Sequence, residues 1–191
     1  MAAEQRDLIE VLVHDHREVE EMFAELESGT GDPDRRRLVA DAVIAELVRH
    51  SVAEEEYLYP ATRQALPDGD QVADHEIAEH AEAERTMKTL EALQPDDPEF
   101  DRVLAGLMAD IRHHIREEEG DLFPRLRTTC TAEELRELGR KVELAKKVAP
   151  TRPHPNAPDT PPWNKILAPG AGLVDRVRDA LTGRATSLDD I

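Results

Sequence analysis

A chain of 191 residues is long enough for one domain with a real core plus an appendage. Its 42 acidic and 24 basic side chains give a net charge of −18 with no offsetting Lys/Arg run, which excludes nucleic acid and anionic lipid as expected partners. A single cysteine leaves no intrachain disulfide, no stretch approaches the ~20 apolar residues of a membrane span, and the first residues carry no apolar export core, so a reducing cytoplasm is the expected location.

Leu, Val and Ala at helical spacing, only six aromatics, and no alternating β-branched runs before residue 149 point to an all-α protein. Ile9, Val13, His16, Val19, Phe23 and Leu26 step by threes and fours, predicting a helix over roughly 4–28. The run from Ser28 to Pro33 breaks it, and Asp32 then caps a second helix with Pro33 in its first position. That helix carries Val39, Val43, Leu47, His50 and Glu54, and Pro60 should kink or end it. A turn over 66–70 leads to a third helix, about 70–93, with Val72, Ile77, His80, Met87 and Leu90 on one face. Asp97 and Pro98 repeat the cap, and the fourth helix carries Val103, Leu107, Ile111, His114 and Glu118 toward Pro124. Short connections between these helices predict an up-down-up-down four-helix bundle.

Thr131 and Glu134 form a capping box opening a fifth helix to about Val148, which closes a unit over 1–149. Residues 150–169 then hold seven of the thirteen prolines, which favours an extended segment, with Trp163, Ile166 and Leu167 packing it along the bundle. Leu173, Val174, Val177 and Leu181 predict a short amphipathic helix ending this 150–191 extension, docked on its own bundle or on a second subunit. The sequence leaves monomer and dimer both open.

The chain repeats itself. His50, Glu54, Leu58, Tyr59 and Pro60 recur 64 positions later as His114, Glu118, Leu122, Phe123 and Pro124, and His16 recurs as His80 at the same offset. An isolated His on an apolar face is ordinarily a satisfied core residue, and a lone His-x-x-x-Glu an exposed pair. One such His on each of four helices is different, because burying these imidazoles and two carboxylates at one level costs several kcal/mol unless something compensates. A metal compensates, and i,i+4 spacing lets the His and Glu of one helix reach one centre. The set His16, His50, Glu54, His80, His114 and Glu118 is too large for one tetrahedral zinc ion; it suits two ions bridged by the two carboxylates, with iron ahead of manganese or zinc.

On straight-helix geometry, Glu76 lies one turn before His80 and can reach the site, and Tyr57 lies seven residues after His50, back on the ligand face. Both are expected as metal ligands; Tyr57, Glu76 and Asp121 are further expected as proton-transfer residues. Glu20 and Glu84 are read as groups orienting the imidazoles, while His14 and His75 should face water and His113 is a neighbour of the site by sequence only.

The order of these residues over 4 to about 126 resembles the hemerythrin-like, or HHE cation-binding, family, and the layout as a whole is similar to its actinobacterial members. The resemblance implies two iron ions with carboxylate bridges and a bridging oxide or hydroxide, meeting O2, H2O2 or NO. Oxygen-carrying members have His-x-x-x-His on the third helix, where this chain has Glu76 in the first place. They close with an Asp five residues after the last His, where this chain has Glu118 at four. Anionic donors in place of histidine stabilise ferric iron, which favours peroxide disproportionation over reversible O2 or NO binding. An iron store or iron-responsive module is the third expectation.

Overall fold

The structure, a computed structural model, describes residues 6–29 and 32–155, the backbone of 163–169, and residues 170–191. Helix α1 spans Leu8–Ser28. It starts later than the apolar periodicity suggests because Asp7 and Glu10 form a reciprocal capping box, each carboxylate accepting the other's backbone N–H at 2.9 Å. Gly29 ends it at φ 64°, a conformation that costs a glycine little. Helix α2 (Pro33–Ala53) is capped by Asp32 as expected.

The passage through Pro60 is where straight-helix reasoning fails. Proline has no N–H to offer Glu56, and its ring would press on that carbonyl. The helix does not stop. It widens for one π turn, Glu54–Leu58, in which the Tyr59 N–H bonds the Glu54 carbonyl five residues back, and continues as α3 (Tyr59–Ala65). The second half does the same. Helix α4 (Gly69–Ala92) leads to α5 (Pro98–Glu117), then a π turn over Glu118–Leu122 with Phe123 N–H on the Glu118 carbonyl, then α6 (Phe123–Thr129). Each wide turn adds one residue, rotating the residues after it by about 100° from a continuous α-helix.

The four long helices form the up-down-up-down bundle, and its interior is layered. One apolar cluster holds Val19 to Leu26 of α1, Val39 to Val48 of α2, Ala83 to Leu90 of α4 and Phe100 to Ile115 of α5. The other holds Leu8 to Leu12, Ala53 to Tyr59, Leu66, Ala73 and Leu122 to Leu126. On α1, α2 and α4 the nominated His lies between the two, and His114 of α5 lies at the edge of the first, beside Ile115. Full burial of a side chain such as Phe23, Leu107 or Leu126 contributes roughly 1.5–3 kcal/mol, so the two clusters offset the polar layer they enclose.

Helix α7 (Ala132–Lys146) opens with the Thr131–Glu134 box and packs on α1 and α2. Its Gly139 permits the approach: a Cβ there would lie 2.7 Å from the Arg6 carbonyl oxygen. The extension differs from expectation. Its helix, α8, runs over Trp163–Thr182, through Pro169 and well beyond the short segment predicted; the packing expected of the Trp163, Ile166 and Leu167 side chains lies outside the described residues. Leu173, Val174, Val177 and Leu181 face outward, whereas Asp175 and Asp179 turn inward and are buried. The extension is therefore tied down by charge: Arg152 reaches Asp179 at 2.7 Å and Glu91 of α4 at 2.5 Å, and Arg184 reaches Asp41 of α2 at 3.2 Å. No helix among the described residues is long and apolar enough to cross a membrane.

Candidate metal centre

Four helices each place one imidazole in the polar layer: His16 from α1, His50 from α2, His80 from α4 and His114 from α5, none more than 5% exposed. The carboxylates of Glu54 and Glu118 are wholly buried among them. Glu54 spans two helices, with Oε1 3.1 Å from His50 Nε2 and Oε2 3.4 Å from His80 Nε2. Glu118 does so in the opposite sense, with Oε1 3.7 Å from His114 Nε2 and Oε2 3.4 Å from His16 Nε2. The six residues expected from the repeat are thus brought together, with four Nε2 atoms turned inward and each carboxylate set between two of them.

The outward nitrogens explain that orientation. His16 Nδ1 is 2.8 Å from Glu119, His50 Nδ1 3.3 Å from Asp15, His80 Nδ1 3.3 Å from Glu55, and His114 Nδ1 2.9 Å from Glu79. An Nδ1–H donated outward fixes the tautomer and leaves the Nε2 lone pair for the centre. Asp15 and Glu79 are 64 residues apart, as are Glu55 and Glu119, so the supporting carboxylates follow the same repeat as the ligand set. Glu20 and Glu84, expected in this role, are engaged elsewhere: Glu20 with Arg112 at 3.1 Å, and Glu84 with the His154 N–H at 2.6 Å.

Inside the layer, His16 Nε2, both oxygens of Glu54 and Glu118 Oε2 have no hydrogen-bond partner. Orphaned polar atoms at this density are costly in an interior, and all of them belong to metal-ligating residue types. Two overlapping groupings have ligand atoms within 4.8 Å of one another: His16, His50, Glu54 and Glu118, and Glu54, His80 and His114, the latter joined through His114 and Glu118 to Glu76. The electrostatics agree. Burial alone would lower the His50 pKa, yet Glu54 and Asp15 raise it to about 10. Burial would raise Glu54, yet His50 and His80 hold it well below the usual carboxylate range. A cage that stabilises imidazolium so strongly stabilises a cation. The residues fit a metal centre.

Two expected positions are corrected. Asp121, expected to transfer protons here, is 71% exposed at its side chain and pairs with Arg125 at 3.1 Å. Tyr57, expected as ligand and proton donor, is half-buried beside the second apolar cluster; its phenol pKa is raised by that burial and by Glu56. Both were placed by counting along a straight α-helix, and the π turns rotate them off the seam. The residues rotated onto it are Tyr59 and Phe123. The Tyr59 hydroxyl, fully buried, is 3.0 Å from His80 Nε2 and donates to Glu118 Oε1 at 3.4 Å. Phe123 stacks on His16 with ring centroids 5.9 Å apart. Glu76 is where the helix count put it, buried, with Oε2 3.0 Å from His114 Nδ1. Its counterpart in the first half is Leu12, so Tyr59 and Glu76 both lie on the His80–His114 side.

Fold and donor set together define a metal-binding four-helix bundle with two overlapping ligand groups. The hemerythrin HHE cation binding domain family matches residues 7–126, and the chain belongs to that family. A hemerythrin-like protein of Schizosaccharomyces pombe is 28% identical over 173 residues, covering 90% of this chain and 85% of its own. A DNA nickase of Nostoc is 32% identical over 140 residues, 72% of this chain but only 38% of the nickase. The crystal structure of a hemerythrin HHE cation binding domain-containing protein from Mycobacterium kansasii superposes with a TM-score of 0.65 at 22% identity, covering 74% of this chain and 86% of that one.

Proposed function

We propose that the chain holds two iron ions and disproportionates hydrogen peroxide, two molecules of peroxide giving two of water and one of O2. The observation that carries this reading is the Tyr59 hydroxyl, held 3.0 Å from His80 Nε2 and 3.4 Å from Glu118 Oε1. His16 and His50 would hold one ion, His80 and His114 the other, with Glu54 and Glu118 shared. Glu76 would be an added carboxylate donor on the second. Mixed nitrogen and oxygen donors with several carboxylates suit iron and stabilise its ferric state. Bound iron would supply the electrons, alternating oxidation state as one peroxide is reduced and the next oxidised.

The chain's own residues supply position and protons. Burial and the surrounding carboxylates raise the Tyr59 pKa well above that of a free phenol, so Tyr59 stays protonated at neutral pH and serves as a donor. Burial also raises Glu76, which makes it the carboxyl suited to exchange a proton on the same side. The four imidazoles line a cavity of only about 10 Å³, about one water in size, which admits small ligands alone. Phe123 and the two apolar clusters bound the layer along the bundle axis. The net charge of −18 does not impede a neutral substrate and argues against DNA as a partner.

The test is O2 evolution by the purified di-ferric protein given peroxide, with metal content measured in parallel. Turnover well above that of equivalent free iron supports the reading. No turnover, together with reversible spectral change under O2 or NO, would replace it with ligand binding.

A further inference from the structure

The halves of the bundle treat equivalent carboxylates differently. In the first half, Asp15 supports His50 and is closed by a tethered cation: Lys146 of α7 lies 2.6 Å from Asp15 Oδ1 and 2.6 Å from Glu46. Glu79 occupies the equivalent place behind His114, and among the described residues no helix corresponding to α7 covers it. Among the described residues no Lys or Arg pairs with Glu79. Instead, His75 Nε2 is 3.7 Å from Glu79 and 3.3 Å from Glu117, and His113 Nε2 is 3.7 Å from Glu117. The ligand atoms of His75, Glu79 and Glu117 fall within 4.8 Å of one another. The matching positions of the first half are Val11, Asp15 and Ala53, with Arg49 opposite His113, so this cluster is not a by-product of the repeat.

Its location is as telling as its composition. A cleft of about 410 Å³ opens between α4 and α5, with the exposed His75 and His113 and the half-buried Glu79 near solvent and the buried His80 and His114 at its inner end. A neighbouring cleft of about 300 Å³ shares His75, includes Glu117, and ends on Glu76. Both openings lead from this cluster to the same side of the buried layer.

We propose that His75, Glu79 and Glu117, with His113 alongside, form a third, solvent-facing site for a first-row divalent cation, and that this site feeds the buried pair. An imidazole with two carboxylates, and a second imidazole alongside, suits Fe2+, Mn2+ or Zn2+ over Mg2+ and Ca2+, which prefer all-oxygen donors. The cation takes at Glu79 the place that Lys146 takes at Asp15. Its exposure lets it be released inward through a carboxylate that already touches His114. The proposal rests on the buried layer being a metal centre.

The experiment separates the two. Full-length protein is loaded with iron, its iron content is measured, and it is then titrated with Mn2+ while free Mn2+ is followed by EPR. Wild type is expected to take up one further Mn2+ per chain. The double variant H75A/E117Q should lose at least about tenfold in that affinity with unchanged iron content, since removing ligands costs no less than removing their supports. His14→Ala, which breaks an equally exposed His–Glu pair away from the clefts, should leave the uptake intact. No further Mn2+ in wild type, or equal uptake by the double variant, overturns the site. Fe2+ uptake by the metal-free chain should be slower in the double variant and reach the same end point; an unchanged rate overturns the feeding role. Absence of iron from the loaded wild type refutes the buried centre itself and is read separately.

Discussion

The Tyr59 hydroxyl lies 3.0 Å from Nε2 of His80, while at the same point of the second half Phe123 lays a bare ring against His16. A duplicated frame thus carries one proton-bearing side and one apolar side. Tyr59→Phe removes the hydroxyl with little change of volume. Peroxide turnover should fall by about a hundredfold, within the range of general acid catalysis, with iron content unchanged. Full turnover by the iron-replete variant would remove Tyr59 from the chemistry.

How Tyr59 escapes sequence reasoning is instructive. His16, His50, Glu54, His80, His114 and Glu118 are legible because a 64-residue repeat and i,i+4 spacing hold wherever the helices are regular. So are the bundle, the Asp32 and Asp97 caps and the capping box at Thr131. Tyr57 and Asp121 are misplaced by a straight-helix count because a proline within a helix reads as a stop, not as the cause of a wide turn that shifts the phase. The signal is present in the repeat, since Tyr59-Pro60 and Phe123-Pro124 stand together and Tyr57 has no aromatic partner at 121. Asp15, Glu55, Glu79 and Glu119 repeat at 64 as well, and are lost among so many acidic side chains. The inward turn of Asp175 and Asp179 is invisible for another reason: apolar periodicity picks out the opposite face of α8.

The carboxylate behind each imidazole should matter to metal affinity as much as to orientation. Asp15 holds His50 Nδ1 at 3.3 Å and is itself held by Lys146 at 2.6 Å. Asp15→Asn keeps the shape but leaves a weaker acceptor. Metal affinity, measured by competition with a chelator, should drop by about 10- to 100-fold. An affinity equal to wild type would make this contact incidental.

The extension should contribute stability without contributing to the site. Arg152 is buried between Asp179 at 2.7 Å and Glu91 at 2.5 Å, and Arg152→Ala takes the nearest cation from both carboxylates. Removing one partner of a buried ion pair costs about 3 kcal/mol at the lower end of the usual range, apt here because Arg184 lies 3.6 Å from Asp179 and 3.9 Å from Glu91. Urea unfolding of the full chain should show that loss, with iron content and peroxide turnover of the folded protein as in wild type. Loss of iron at full occupancy of the folded state would show that the extension shapes the centre.

The hold of the extension should also depend on pH, through His154. Its Nε2 is 2.9 Å from Asp175, and its backbone N–H donates to Glu84 at 2.6 Å. The hydrogen bond to Asp175 raises the His154 pKa above 6.5; partial burial opposes this, the charges of Asp175 and Glu84 reinforce it, and Lys88 opposes it weakly. A raised folded-state value means the stabilisation is complete below 6.5 and is lost as pH rises through the raised value. Asp175 has the opposite sense. Burial would raise its pKa, but His154 and the N–H groups of Thr151 and Arg152 lower it below 3.8, so its contribution is complete above 3.8 and is lost as pH falls through the lowered value. The contact is therefore firmest in mildly acidic solution. Hydrogen exchange at residues 151–155 and 170–182, corrected for intrinsic rates, should show protection declining as the solution is made more alkaline than 6.5. In His154→Gln that decline should disappear. The same decline in the variant would assign the pH dependence to some other pair.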